Sequence, residues 1–373
     1  GSTDLRSGAL DNTGGLLQSA AGLSINTAGQ ALINANSNGN GIVSGGVLDI
    51  RSGSIDNSAG TLFSQGNSNV QASMLNNRDG GSLVSAGNLS LQAQQLGNAG
   101  GSISAGSNAD ITVQGALDNA AGLVAAGAKL DLQAGSIDNR NTQGAANGPA
   151  LGLQAGNLQV STESLDNRSG QVLADDLLLQ INQTLDNRGG QVSAAATSEV
   201  RADSINNQAG ILQAGNHQIV RARALQGDGK LLSQGDMTLE LGQSYSNNSE
   251  LAANGKLTLS IQGNLENTGK LQAANLDISA VDITNAINGE ISSIGMTRVA
   301  ADGTLLNYGL IDGGVTHLTA QTLNNSGSGR IYGAHVAIET GNLNNRAEMI
   351  DGVVRSATIA ARERLDLGVG VLE

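Results

Sequence analysis

Along most of the chain apolar and polar residues alternate, as at Leu83, Ser85, Leu89, Leu91 and Ala93, or at Val124, Ala126, Leu130, Leu132 and Ala134. A period of two puts alternate side chains on one face and predicts β-strands, while no segment carries the 3.6-residue spacing of a helix. The runs are short and end at glycines. Gly15, Gly60, Gly80, Gly122, Gly170, Gly190 and Gly210 each fall three residues after a recurring asparagine. That placement predicts sharp corners that use the backbone freedom of glycine.

The asparagine closes an aliphatic-polar-Asn triplet, seen in Leu10-Asp11-Asn12, Ile55-Asp56-Asn57, Leu117-Asp118-Asn119 and Leu185-Asp186-Asn187. With weaker copies included, the anchor falls at 12, 34, 57, 77, 98, 119, 139, 167, 187, 207, 227, 247, 267, 285, 307, 325 and 345. The modal step is 20 residues, and every step lies between 18 and 23 except the 28 from 139 to 167. That longer step contains Pro149, the only proline, and reads as a loop insertion near 140–150 that leaves the wall. A short fixed period of punctuated strands predicts an all-β fold. The expected architecture is a right-handed parallel β-helix, a solenoid of roughly 18 coils with about 20 residues per coil, and residues 1–373 form a single repeat domain. A leucine-rich repeat of similar period would need a longer leucine scaffold and a helical side.

Asn12, Asn57, Asn77, Asn98, Asn119, Asn139, Asn167, Asn187, Asn207, Asn267, Asn325 and Asn345 are expected to form a structural ladder. Asparagine tolerates left-handed backbone geometry, and its amide can bond locally or to the asparagine one coil away. From about residue 217 the copies degenerate: Gly227 replaces the anchor, and Glu250 stands where a corner glycine is expected. A less regular wall is predicted there, with residues 217–335 as the candidate contact region, because a uniform wall carries no unique address.

Composition agrees with thin aliphatic layers. Glycine supplies 53 of the 373 residues, tryptophan is absent, and the aromatics reduce to Phe63, Tyr245, Tyr308 and Tyr332. No cysteine is available for disulfides or thiolate metal sites. A net charge of −13 with scattered cations leaves no basic stripe for nucleic acid, and no apolar run is long enough to insert in a membrane as a helix.

Leu185-Asp186-Asn187-Arg188-Gly189-Gly190-Gln191-Val192-Ser193-Ala194 resembles the repeat of filamentous haemagglutinin-like exoproteins and of contact-dependent growth inhibition toxins. Residues 361–368, Ala-Arg-Glu-Arg-Leu-Asp-Leu-Gly, are similar to another segment common in them, and copies of the repeat cover nearly the whole chain. The resemblance implies a Gram-negative two-partner secretion substrate, exported by a dedicated outer-membrane transporter and displayed as a β-helical filament on the bacterial surface. It also implies an interior repeat segment, with the secretion domain and any toxin module lying elsewhere. The expected role is a structural and adhesive rod that extends a distal adhesin or toxin element towards target cells. The alternative is a module that contacts a target-cell receptor directly.

Some β-helices are polysaccharide-cleaving enzymes, so catalytic groups were sought by residue. Asp175-Asp176 is the only adjacent acidic pair, and neighbours on a strand point to opposite faces. His217, His317 and His335 lack a companion acidic motif. The reading is therefore of a non-enzyme without cofactor or metal. Arg201, Arg221 and Arg223, clustered within about one coil, form a candidate basic contact patch for an acidic glycan or headgroup.

Overall fold

The computed structural model describes residues 1–144 and 150–373, and its described residues contain strands and turns but no helix. Residues 145–149, the centre of the expected loop near 140–150, lie outside the described residues. Two units, Gly1–Ala194 and Ala195–Glu373, are distinguished. Each is a parallel β-solenoid, and their turns number about 17, at about 20 residues per turn.

One coil of the first unit shows how the sequence builds the wall. Ser82–Ser85 forms one strand; after the corner at Ala86-Gly87-Asn88, Leu89–Gly97 forms a longer one that bends beyond Ala93. Leu83, Leu89, Leu91, Ala93 and Leu96 point inward and are buried, with Ser85 and Asn98 beside them. Every strand N–H and C=O runs along the stacking direction to the next coil, so Leu83 lies between Leu62 and Ile103. The corners join in: the Asn77 N–H donates to the Gly97 carbonyl at 2.7 Å and the Asn98 N–H to the Asp118 carbonyl at 2.6 Å.

Stacking turns each inward position into a column. In the first unit Leu62, Leu83, Ile103, Val124, Leu153, Val172 and Val192 follow one another in register. In the second unit Leu212, Leu231, Leu251, Leu271, Ile291, Ile311, Ile331 and Ile359 do the same. A buried Leu or Ile contributes about 1.5–3 kcal/mol, so a few aliphatic columns hold a thin interior without aromatic bulk. Tyr245 is the exception: it is buried in a column continued by Leu265 and Ile283, and burial pushes its hydroxyl pKa up.

Two features mark the second unit. Its strands stay parallel and stacked through the stretch expected to degenerate, with a register shift between Ala253 and Lys256, and polar Gln218, Thr297 and Thr316 take inward, buried positions. Near the C-terminus, Glu348–Ile350 and Val353–Arg355 form the only antiparallel pair among the described residues. Asp351 and Gly352 connect them with φ of 50° and 76°, two consecutive positive values that match the right-handed twist of a hairpin.

Candidate functional site

The recurring triplet makes a corner in which each residue has its own task. The aliphatic residue fills a core column. The following Asp turns outward and accepts the N–H two residues on, as Asp56 does from Ser58 at 3.1 Å and Asp118 from Ala120 at 3.2 Å. The Asn turns inward and is buried. A four-residue turn then closes with the glycine N–H donating to the asparagine carbonyl, at 2.9 Å for both Gly60 to Asn57 and Gly122 to Asn119.

In the first unit the asparagine amides form a continuous chain. Nδ2 of Asn12, Asn34, Asn57, Asn77, Asn98, Asn119, Asn139 and Asn167 donates to Oδ1 of the next member, ending on Asn187, at 2.7–2.8 Å. The second Nδ2 hydrogen is also used: Asn77 reaches the Ser102 carbonyl at 2.9 Å and Asn98 the Leu123 carbonyl at 2.9 Å. In the second unit Asn247, Asn267, Asn285, Asn307, Asn325 and Asn345 form a similar run at 2.7–2.8 Å. Asn207 donates to the Lys230 carbonyl at 3.4 Å, and Gly227 occupies the anchor between Asn207 and Asn247. Asn34, Asn247, Asn285 and Asn307, the weaker copies on the 20-residue step, thus take the same inward geometry.

Two details of the corner differ from the sequence expectation. No anchor asparagine is left-handed; positive φ occurs two residues later, at Ala59 (51°), Ala121 (52°), Ser169 (48°) and Gly189 (60°). Gly60, Gly122, Gly170 and Gly190 have ordinary φ and serve a steric need instead. A Cβ at any of them would collide with the Oδ1 of its own anchor asparagine and with the backbone carbonyl of the asparagine one coil earlier.

Outside the wall, charges pair in rows. Arg140, Arg168 and Arg188 lie 2.6, 2.6 and 2.7 Å from Asp138, Asp166 and Asp186; Arg140 also approaches Asp166 at 3.5 Å, and Arg168 approaches Asp186 at 3.6 Å. Hydrogen bonding from Arg188 holds the Asp186 carboxyl below its ordinary pKa. At Asp138 burial is the largest single influence and pushes upward, but the combined hydrogen bonds and charge of Arg140 prevail and the pKa falls.

The structure brings Arg201, Arg221 and Arg223 together, but among carboxylates. Arg201 and Arg221 lie 2.7 and 2.6 Å from Glu199, Arg221 also reaches Glu240 at 2.9 Å, and Arg223 lies 2.8 Å from Asp203. Hydrogen bonding from Arg223 lowers the Asp203 pKa. Three guanidiniums against three carboxylates make a neutral network rather than a cationic surface.

The histidines do not converge. His217 faces the Thr238 hydroxyl at 3.2 Å, His317 lies 3.7 Å from Glu339, and His335 lies 2.8 Å from Asp366. The Asp366 pKa is lowered by His335 and by Arg364. Among the described residues no group of three or more His, Asp or Glu is placed to hold a metal ion. Asp175 and Asp176 are both exposed.

One concavity in the first unit was not singled out from the sequence. Outward side chains of successive coils line a groove of about 420 Å³, among them Arg51, Gln71, Gln92, Gln94, Thr112 and Gln114. The available signal was recurrence on the coil period: Gln71 and Gln92 share a register position, and Gln94 and Gln114 are 20 residues apart.

A family model described as a haemagglutinin repeat matches residues 43–121, 119–189, 155–224 and 220–269, together more than half of the chain. No curated protein and no solved structure matches it.

Proposed function

Because the chain belongs to the haemagglutinin-repeat family, a family of structural and adhesive, secreted cell-surface proteins, we propose that it is a structural and adhesive rod segment of a bacterial surface exoprotein. In this reading the full-length protein leaves a Gram-negative cell through an outer-membrane two-partner secretion transporter, and the repeats carry a distal adhesin or toxin element towards target cells. Residues 1–373 act as one repeat domain without catalytic chemistry or cofactor.

The observation that carries the reading is the chemistry of the interior. The buried polar residues are Ser, Thr, Asn and Gln only, with no buried Asp, Glu, His, Lys or Arg among the described residues. An interior of aliphatic columns and amide bonds supports stacking. A polysaccharide-cleaving site would need converging acids on the outside, where Asp138, Asp166, Asp186, Glu199, Asp203 and Glu240 instead pair with arginines.

The second reading, a module that contacts a target-cell receptor through residues 217–335 or the 140–150 loop, is favoured by the buried Gln218 and Tyr245 of the second unit, since no glutamine and no aromatic residue is buried among the described residues of the first. The test is binding of the labelled chain to a panel of Gram-negative and epithelial cells, with a different repeat segment as control. Saturable binding to some cells, absent for the control, selects the receptor-contacting reading. Signal equal to the control and without saturation selects the structural one.

A further inference from the structure

The glutamine-lined groove of the first unit differs from the rest of the outer surface in what its side chains do. Most exposed charges pair with a neighbour, and the anchor amides bond to one another. The side-chain amides of Gln71, Gln92, Gln94 and Gln114, all exposed, make no hydrogen bond to another protein group among the described residues. Each offers two donors and one acceptor. They stand in two rows along the stacking direction: Asn26, Arg51, Gln71, Gln92 and Thr112 are register partners in one, and Ser73, Gln94 and Gln114 follow in the other. The backbone at Ala72 and Ala93, whose side chains turn inward, lies between the two rows.

We propose that this groove binds an extended, uncharged polysaccharide lying along the stacking direction, with the glutamine amides pairing to its hydroxyls. Three features select that chemistry. Strand spacing repeats the amides about every 4.8 Å, close to the rise of one sugar ring in an extended glycan, so successive sugars meet equivalent partners. The groove has one cation, Arg51, which already has Asp49 at 3.9 Å, too little charge to hold a sulfated or phosphorylated polymer. An extended peptide would need unpaired strand edges, but here the strand backbones are bonded coil to coil. The inference deepens the adhesive reading and rests on it only for the source of the ligand.

The test is calorimetric titration of the whole 373-residue chain with neutral hexasaccharides of glucose, mannose, galactose and N-acetylglucosamine, with the corresponding disaccharides, and with a heparin hexasaccharide. A neutral hexasaccharide is expected to bind saturably and about tenfold or more tighter than its disaccharide, because it spans several coils. The double variant Gln92→Ala/Gln94→Ala is expected to weaken it by about tenfold or more. Gln208→Ala, an exposed glutamine of the second unit, should leave affinity unchanged. Since the groove glutamines hold nothing in place, the double variant should keep the parent circular dichroism and melting curve. Absence of binding by every neutral hexasaccharide at millimolar concentration would overturn the proposal, as would equal affinity in the double variant or binding by heparin alone. Because purified sugars are used, such a failure leaves the cell-binding test of the structural reading untouched.

Discussion

Replacing Asn119 with alanine removes a link from the middle of the first unit's amide chain. Asn119 Oδ1 accepts from Asn98 at 2.7 Å, and its Nδ2 donates to Asn139 at 2.8 Å and to the Gly122 carbonyl at 3.4 Å. The two neighbours suffer unequally. Asn98 Nδ2 keeps the Leu123 carbonyl at 2.9 Å, whereas Asn139 Oδ1 loses its side-chain donor inside a residue with no solvent exposure. A buried acceptor left unpaired costs about 1–3 kcal/mol and each lost bond about 1 kcal/mol, so the substitution should cost about 3–5 kcal/mol. Asn12→Ala, at a half-exposed end of the chain of amides, leaves the equally buried Asn34 Oδ1 without its side-chain donor but breaks no accepted bond, so it should cost about 1 kcal/mol less.

A repeat array can open in parts, so a global melt gives the sign of a change and a local probe gives its size. Native-state hydrogen exchange reads the local effect. The Asn119 and Asn139 amides, which donate to the Asp138 and Asp166 carbonyls at 2.7 and 2.8 Å, should exchange roughly two to three orders of magnitude faster in Asn119→Ala, as about 1.4 kcal/mol per tenfold requires. Acceleration of less than about fivefold would refute the argument that burial makes the ladder costly to interrupt.

The corner geometry predicts opposite signs at adjacent residues. Ala121→Gly should stabilise by about 1 kcal/mol by relieving a left-handed alanine, and Gly122→Ala should destabilise by several times that through its collision with Asn98 and Asn119, both read from urea midpoints. Asp138 and Asp186 have folded pKa values below their unfolded ones. Their contribution is therefore complete above the unfolded value of about 4 and disappears as pH falls through the lower folded values, so melting temperature should drop below about pH 4, and less so in Asp186→Asn. Gln218→Met should be stabilising by about 1 kcal/mol in thermal unfolding, because Gln218 Oε1 is buried without a partner and its register neighbour is Met237.

The wall and the anchor spacing were legible in the sequence because a solenoid repeats its local rules: Leu83 and Ile103 occupy equivalent positions, so period and column can be read together. What was not legible depends on contacts between coils. Gly60 looks like a turn glycine until the Asn34 carbonyl is placed against it, and Ala59 carries no sign that its backbone is left-handed. Arg201, Arg221 and Arg223 form a basic cluster along the chain, but Glu240, one coil away, and the nearby Glu199 and Asp203 neutralise it. The Asp351-Gly352 hairpin was a missed local signal, since it lies between two apolar pairs and beyond the last anchor. The groove glutamines escaped notice because glutamine on an exposed strand position reads as ordinary surface.

Because interior rungs are nearly interchangeable, the outer rows are left to specify which coil stacks on which. In the second unit Lys230 lies 3.0 Å from Glu250, and Glu250, Lys270 and Glu290 follow in register, so charge alternates along the row. Deleting residues 248–267 removes one 20-residue step and keeps an asparagine at the anchor, since Asn247 then takes the place of Asn267. The shortened chain should fold, with Lys270 now beside Lys230. Lys270→Glu should therefore lose its cost in the shortened chain. In the full chain it sets a third acid between Glu250 and Glu290 and should cost about 0.5–1 kcal/mol; in the deletion background it gains Lys230 as an opposite charge and turns Glu290 into a like one, so the two changes offset and it should be close to neutral. The cost in the full chain should fade in 1 M salt, where the Debye length is about 3 Å. Thermal melts of the four proteins at low and high salt measure the difference, and an equal cost in both backgrounds would show that exterior charge does not select the stacking register.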